Sequence, residues 1–212
     1  MAVASPWFRA VVSAPQMQEI ENWLFTQGMP VAALMEKAAL QIAQRLPTLY
    51  PLSTYPRIGL VVARELKLQG YQVQGLQPLD KLKPLTQNHA DYGKSLGIPW
   101  VDGVQALAHC DLIIDALFGV GLTRLITGAI ADLVTAINDL SVPVISIDLP
   151  SGIETDTGEI LGVAVQADRS FCLGLWNRAY FQDRALAHLG QTELLSIGLP
   201  PQAIANVLGE VW

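Results

Sequence analysis

Two aspartates, Asp115 and Asp148, each end an apolar run typical of a buried β-strand and begin a turn of small residues. The first segment reads CDLIIDALFGVGLT and the second reads VPVISIDLPSG. In an open parallel sheet, ligands bind beyond the carboxyl ends of the strands. A carboxylate at that edge can exchange a proton with a ligand or bind a cation. The two turns together therefore predict a ligand-binding or catalytic site.

The turn after Asp115 is suited to a phosphorylated ligand. Gly119 and Gly121 allow the backbone to approach a ligand closely, and Thr123 and Arg124 add a hydroxyl and a guanidinium group. The segment is not a dinucleotide fingerprint, because Arg124 stands where G-x-G-x-x-G has its third glycine. A short G-x-G is also common in strand-to-helix turns, so a purely structural role is an alternative.

The turn after Asp148 is more specific. Pro150 favours extended geometry at the residue before it, and Ser151 and Gly152 supply an oxygen and free backbone. Ser151 is not expected to be a nucleophile, because it lies outside a G-x-S-x-G elbow and no histidine is placed as its base. We therefore predict an acid/base or hydrogen-bonding role for Asp148. The oxygens of Asp115 and Ser151 suit a simple cation.

Composition limits the class of protein. The 212 residues fit a single domain, 1–212, which is large enough to bury a substantial core. The chain is 51% hydrophobic and 15% charged, which argues against disorder. Its net charge of −6 and the lack of a Lys/Arg cluster argue against a nucleic-acid or anionic-membrane surface. A phosphorylated ligand stays compatible with this charge, because backbone amides bind phosphate.

The cysteines and histidines predict no metal centre. Cys110 and Cys172 lie far apart in apolar runs, which favours buried, reduced thiols. His89, His109 and His188 have no ligand spacing and are assigned to surface or core-edge positions. The chain lacks an apolar run of about 18 residues and a secretory signal pattern, so no membrane contact and a cytoplasmic location are expected.

Helices and strands alternate along the chain. Two N-terminal helices are predicted around 14–27 and 30–46, with Glu36 and Lys37 on a solvated edge of the second. Its apolar face comprises Val31, Leu34, Met35, Ala38, Ile42 and Leu46. Strands are predicted at RIGLVV, YQVQGLQ, CDLIIDAL, PVISIDL, DRSFCLGLW and QTELLSIGL, and further helices at ARELKLQG, which Gly70 ends, and around 84–96 and 126–139. This order predicts an α/β fold: a Rossmann-like, doubly wound, mostly parallel sheet in a three-layer α/β/α arrangement.

Four segments together resemble the NAD(P)H-hydrate epimerase family, which also forms the N-terminal domain of bifunctional NAD(P)H-hydrate repair proteins. These segments are LMEKA, DALFGVGL, SIDLPSGIETDTGE and LGLW, and the resemblance runs from about Gln16 to Gly198. IDLPSG followed by DTG is the most specific part. Members of the family interconvert the R and S forms of NADH and NADPH hydrated at C6 of the nicotinamide ring. A partner dehydratase can then restore the cofactor.

The resemblance assigns roles to individual residues. It implies that Asp115 and Ser151 bind a potassium ion and that Asp148 contacts the hydrate and performs the acid/base step. The residues implied to line the bound hydrate are Gly119, Val120, Gly121, Leu122, Thr123, Arg124 and Leu125. It also implies a dinucleotide (NADHX or NADPHX, the hydrated forms) as substrate rather than cofactor, a homodimer, and a dehydratase partner as a domain or a separate protein.

The chain departs from the family at one loop. The family has a segment close to G-P-G-x-N-G-G-D-G between its first strand and a helix reading L-V-x-A-R-x-L, and this segment supplies substrate contacts and an asparagine ligand to potassium. Here RIG, which ends at Gly59, runs directly into LVVARELKLQGY, so about a dozen residues are missing. Asn177 also stands where relatives usually have a lysine. The missing loop predicts impaired epimerase activity.

Several explanations of the gap remain open. The chain is a family member that has lost activity, a chain from which a segment was removed, or a protein whose two remaining turns bind the ligand weakly. The competing class is a catalytically inactive binding or interaction domain of the same fold. A further alternative is the N-terminal part of a bifunctional epimerase and dehydratase.

Overall fold

A parallel sheet with helices on both faces positions the two aspartates. The computed structural model describes residues 6–59, 63–78, 84–101 and 103–209. The helices are α1 (Ala14–Thr26), α2 (Val31–Leu49), α3 (Ala63–Leu68), α4 (Pro84–Ser95), α5 (Ala129–Asn138), α6 (Asp183–Leu189) and α7 (Pro201–Leu208), and short 3₁₀ turns cover Pro6–Arg9, Val104–His109 and Arg178–Phe181. The strands are β1 (Val11–Val12), β2 (Arg57–Gly59), β3 (Gln72–Leu76), β4 (Trp100–Val101), β5 (Leu112–Asp115), β6 (Val144–Ile147), β7 (Arg169–Leu173), β8 (Trp176–Asn177) and β9 (Gln191–Leu195).

The main sheet has seven strands in the order β4-β3-β2-β5-β6-β7-β9, and all of its pairings are parallel. From β2 the chain adds strands toward one edge and then returns to add β5 and its successors on the other side. The carboxyl ends of β2 and β5 therefore flank the switch point, where ligands bind in doubly wound folds. The predicted fold class is confirmed.

The core fills both faces of the central strands. In β5, Leu112 and Ile114 pack with Ile42 and Leu46 of α2 on one face. The intervening Ile113 packs with the buried side of α5 on the other face. Because successive strand residues point to opposite faces, burial on both sides explains the continuous apolar run in the sequence.

The two predicted N-terminal helices are confirmed. Ser13 and Gln16 form a capping box at the start of α1, and α1 packs against α7. The helix α2 continues three residues beyond the predicted end and includes Pro47 in its last turn. The predicted buried face was wrong at Val31 and Met35, which are 47% and 40% exposed. Met35 is exposed because it borders the cavity described below rather than the core.

Some predicted elements are shorter in the structure, and some elements of the structure were not predicted. Only Arg57–Gly59 of RIGLVV is seen as strand, and 60–62 lie outside the described residues. The short strands β1, β4 and β8 and the helices α6 and α7 were not predicted. Cys110 and Cys172 are both buried, as expected. No helix within the described ranges is long and apolar enough to cross a membrane.

Candidate functional site

The candidate site lies at the carboxyl ends of β5 and β6, which are neighbours in the sheet. Asp115 is the last residue of β5, and Asp148 follows the last residue of β6. Asp115 pairs in register with Ser146, so the two carboxylates occupy adjacent strand ends. The structure thus brings together the two turns that the sequence singled out.

Asp115 is buried and its carboxylate accepts four hydrogen bonds. Oδ1 accepts from the Ser151 hydroxyl at 2.6 Å and from the Leu117 N–H at 3.2 Å. Oδ2 accepts from the Ser146 hydroxyl at 2.9 Å and from the Ser151 N–H at 2.8 Å. Burial raises the pKa of the Asp115 carboxyl, and the donors from Ser151 and Ser146 oppose that rise. Asp115 therefore ties the turns after β5 and β6 to each other.

Ser151 completes a small group of oxygen atoms. Its Oγ accepts a hydrogen bond from the Phe118 N–H at 2.9 Å and lies 3.2 Å from the Phe118 carbonyl oxygen. The Asp115 Oδ1, Ser151 Oγ and Phe118 carbonyl oxygens are therefore close together. Carboxylate, hydroxyl and carbonyl oxygens are the donor types that hard cations prefer. Among the described residues no group of three or more His, Cys, Asp and Glu side chains could hold a metal ion, so a cation here would depend on hydroxyl and carbonyl oxygens.

Asp148 is partly buried and held from three sides. Its Oδ1 accepts from Asn177 Nδ2 and its Oδ2 from the Val120 N–H, each at 3.2 Å. The Tyr180 hydroxyl donates to the Asp148 carbonyl oxygen at 2.8 Å. Burial raises the pKa of the Asp148 carboxyl, while the donors from Val120 and Asn177 act in the opposite direction. A carboxyl with a raised pKa is suited to acid/base chemistry.

The backbone at Asp148 is strained. Its φ is +69°, and it is the single non-glycine residue with positive φ in the part of the chain that the structure describes. Such a conformation costs about 1–3 kcal/mol and is often found at functional sites. Burial, and after it the negative charge of Asp148, raise the pKa of Glu21 on α1, so the two carboxyls interact electrostatically.

The glycine turn after β5 lies against the Asp148 carboxylate. A Cβ atom on Gly119 would stand 3.2 Å from Asp148 Oδ2, which is closer than ordinary van der Waals contact. Gly121 has φ +101°, a conformation that L side chains rarely adopt. From the sequence we predicted that these glycines let a ligand approach the backbone. The structure adds a second reason for glycine at 119, because the Asp148 carboxylate lies close to it.

A cavity of about 780 Å³ opens beyond the strand ends at the switch point, within the size range of small-molecule sites. Residues at or just after the ends of β3, β5, β6 and β7 line it (Leu76, Ala116, Ile147 and Leu173), whereas Asp115, Asp148 and Ser151 lie behind this lining. The six residues 119–124 line the cavity, as do Met35, Arg64 and His89 on three helices and Trp100 in β4. Leu125 does not line it and is 63% exposed. The chain leaves the cavity there because Ile126 is buried and its N–H bonds to the Leu161 carbonyl.

A charged group forms the wall of the cavity opposite the glycine turn. Arg64 of α3 donates from Nη1 to Glu36 Oε1 at 2.8 Å and from Nε to Glu65 Oε1 at 2.8 Å. His89 Nδ1 lies 3.8 Å from Glu36, and the Arg64 guanidinium lies over the Tyr92 ring. The hydrogen bond from Arg64 lowers the pKa of Glu36. Glu36 was expected on a solvated helix edge, and instead it faces the cavity in an ion pair.

The segment after Asp148 is largely structural. A Cβ on Gly152 would stand 2.1 Å from the Val163 carbonyl oxygen, so only glycine fits there. Glu154 Oε2 accepts from the backbone N–H groups of Asp156 and Thr157, which forms a tight turn. Asp156 Oδ1 accepts from the Ala14 N–H at the start of α1. The DTG motif therefore braces the site and does not enter the cavity.

Sequence reasoning did not find Arg64, His89 and Tyr180 as site residues. Arg64 of α3 and His89 of α4 meet Glu36 of α2, and Tyr180 reaches Asp148 from a 3₁₀ turn. The spacing of residues within a short sequence segment does not predict contacts between such distant elements. The sequence offered one indication of this site: Arg64 lies in α3, the helix that directly follows the central strand β2.

Comparisons with known proteins identify the family of this chain. The model of the family described as YjeF-related protein N-terminus matches residues 58–179. The bifunctional NAD(P)H-hydrate repair enzyme Nnr of Synechocystis sp. is 88% identical over 224 residues, which cover 100% of this chain and 43% of that protein. The aligned length exceeds the 212 residues of this chain by 12, which agrees in size with the missing glycine-rich segment.

Relatives of similar length and a solved structure extend the comparison. The NAD(P)H-hydrate epimerase of Limosilactobacillus fermentum is 33% identical over 85% of this chain and 93% of its own. The crystal structure of the yeast protein YNL200c shares the fold, with a TM-score of 0.77, 20% identity and coverage of 95% of this chain and 94% of that one. The chain spans 43% of the length of the bifunctional Synechocystis relative. It belongs to the family of YjeF-related protein N-termini, together with these NAD(P)H-hydrate epimerases.

Proposed function

We propose that this chain is one epimerase-like domain that interconverts the R and S forms of hydrated NADH and NADPH. The observation that carries the proposal is the Asp148 carboxyl, strained and partly buried, behind the glycine turn of a 780 Å³ cavity. The relatives of comparable length are named NAD(P)H-hydrate epimerases. The test is the R/S ratio of an initially pure hydrate epimer, followed by chromatography with and without the chain.

Asp148 is the proposed acid/base residue. Inversion at a carbon that carries a hydroxyl requires a bond to that carbon to break and re-form, and a carboxyl that exchanges a proton can assist both steps. Residues Thr123 and Arg124 are exposed on the cavity side of the glycine turn. They are therefore proposed to bind the phosphates of the dinucleotide, while Leu125 contributes no contact to the cavity.

The proposed activity is slow in this chain. Only three residues, 60–62, join β2 to α3, so the chain has no room for the family's glycine-rich segment between them. Loss of backbone donors beside the switch point is expected to leave the ligand less well positioned than in relatives that have the segment.

Gly119→Ala is expected to reduce epimerisation by about tenfold, because its methyl group would displace the Asp148 carboxylate by a few tenths of an ångström. Kinetics and thermal unfolding of the purified variant check this, and the melting temperature is expected to stay near that of the unmodified chain. The control is Gly103→Ala, whose Cβ would meet only the flexible end of the Gln105 side chain. Equal activity of the two variants would contradict the proposed coupling.

We further propose that Asp115 and Ser151 bind potassium together with neighbouring carbonyl oxygens. The donor types fit an alkali cation. The lone pairs of the Asp115 carboxylate are occupied by protein donors, so an ion must compete with the Ser151 hydroxyl. Such a site would fasten the two catalytic turns together, and it takes no part in the proton transfer.

Potassium at one hundred times its dissociation constant is expected to raise the melting temperature by about 5–10 °C over N-methylglucamine at equal ionic strength. The effect should disappear in Ser151→Ala. Asp156→Asn is the matched control, since Asp156 binds the α1 N-terminus and not this oxygen group. Potassium stabilisation that persists in Ser151→Ala would rule out these ligands.

The remaining proposals concern assembly and location. Exposed Phe181 and Val11 flank Trp176, whose ring lies 6.0 Å from that of Phe181 and whose backbone pairs with Val11. This apolar patch suits a homodimer, which light scattering of the full chain would detect. The Synechocystis relative is named a bifunctional NAD(P)H-hydrate repair enzyme, and we propose that this domain works with a dehydratase, as a domain or a separate protein. A cytoplasmic location fits a reaction on NADH and NADPH.

A further inference from the structure

Asn177 contacts the Asp148 carboxyl from a buried position. It is 1% exposed in β8, where it pairs in register with Val12 of β1. Its Nδ2 donates to Asp148 Oδ1 at 3.2 Å. Its own Oδ1 is buried and has no hydrogen-bond partner among the described residues. Among the described residues Asp148 is the one hydrogen-bond partner of this amide, so a half-turn of the amide breaks no other hydrogen bond with them.

The other groups around Asp148 do not supply a counter-charge. Glu21 faces it from α1, Cys172 from β7 and Tyr180 from the 3₁₀ turn after β8. None of these is a cation, and no salt bridge of Asp148 occurs in the described part of the chain. The Asn177 amide is therefore the one side chain that bonds to the carboxyl oxygens there.

Hydrogen-bond geometry decides where a proton on Asp148 resides. Oδ2 faces the Val120 N–H, which requires an acceptor, and the Leu173 backbone also donates to the carboxyl. A proton on Oδ1 leaves the Val120 hydrogen bond intact. In that state an Oδ1–H group would face the Nδ2–H of Asn177, donor against donor. A half-turn of the amide replaces Nδ2 by the acceptor Oδ1 and restores the hydrogen bond.

We propose that Asn177 is a positioning residue that pairs with both protonation states of Asp148, by presenting Nδ2 to the carboxylate and Oδ1 to the carboxylic acid. An acid/base carboxyl is both protonated and deprotonated in each turnover. A partner that hydrogen-bonds to both forms keeps the carboxyl in one position. This inference deepens the proposed epimerase function and rests on it only where catalysis is measured.

Neutron diffraction of the unmodified chain at two pH values, on either side of the Asp148 titration, tests the proposal without any substrate. The deuterons of Nδ2 identify the amide orientation. We expect Nδ2 to face Asp148 at the higher pH and Oδ1 to face it at the lower pH. The same orientation at both pH values would overturn the proposal.

Asn177→Leu provides a second test, in which ¹³C NMR follows the titration of the Asp148 carboxyl. A partner that stabilises both states alike leaves the pKa of Asp148 within about half a unit of its starting value when removed. A partner that stabilises only the carboxylate would raise that pKa by about one unit or more, and this result would overturn the proposal. Asn138→Leu is the matched control, because the Asn138 amide bonds to the backbone of Ala164 and Gln166 and not to Asp148.

Kinetic measurements distinguish failure of the proposed Asn177 role from failure of the proposed epimerase function. In Asn177→Leu, kcat is expected to fall about tenfold with little change in KM, while Asn138→Leu keeps the kcat of the unmodified chain. If the unmodified chain shows no epimerase activity, the proposed function fails, and the neutron and NMR results still decide the role of Asn177. An unchanged kcat in an active Asn177→Leu variant would contradict the positioning role.

Discussion

Asp148→Asn is expected to lower the rate of epimerisation by about 10²–10⁴-fold, to near the uncatalysed rate, because the amide cannot exchange a proton at that position. Asparagine tolerates the positive φ of residue 148, and its side-chain oxygen can still accept from the Val120 N–H. The fold should therefore persist. Progress curves of the R/S ratio, with thermal unfolding of the same sample, measure both quantities.

The control for that variant is Asp168→Asn. Asp168 accepts a hydrogen bond from the Val144 N–H at 2.8 Å at the opposite, amino end of β6. A loss of activity specific to Asp148 supports the acid/base assignment. Equal activity of Asp148→Asn and the unmodified chain would show that another group moves the proton.

Insertion of the family's glycine-rich segment after Gly59 is expected to raise kcat/KM by about 10²-fold. The segment would restore backbone donors at the switch point, beside the cavity that β5 and β6 already form, and misplacement of a ligand by about 1 Å costs a factor of this order. Steady-state kinetics with the pure R hydrate, whose S epimer is the product, provide the measurement. Added length alone should have no such effect.

The matched control is a glycine and serine segment of equal length at the same place. If it raises kcat/KM as much as the family segment, the gain comes from relief of the short β2–α3 connection. If neither insertion changes kcat/KM, the shortened connection does not limit the reaction.

The parts of the site that sequence could predict are those encoded by continuous local patterns. Asp115 ends one four-residue strand and Asp148 follows another, both buried throughout, and such apolar runs indicate where strands end. The doubly wound order follows from the alternation of strands and helices. The Ser151 oxygen, proposed with Asp115 to bind a cation, could also be predicted from sequence, because Ser151 lies in the turn directly after Asp148.

The rest depends on contacts between distant elements. Asn177 reaches Asp148 because the two-residue strands β1 and β8 pair, and two residues carry no detectable periodicity. Glu36 of α2 pairs with Arg64 of α3 at the cavity wall, although the local pattern predicted a solvent-exposed position for Glu36. Leu125 was expected at the ligand because it follows residues 119–124, which line the cavity, but the burial of Ile126 turns the chain away.

The most direct test of the central claim follows one pure epimer of hydrated NADPH over time by chromatography, with the chain added in catalytic amount. We expect the R/S ratio to approach equilibrium faster than in buffer alone, and Asp148→Asn to remove this excess rate. An approach to equilibrium at the rate of buffer alone would contradict the assignment of this cavity as an epimerase site.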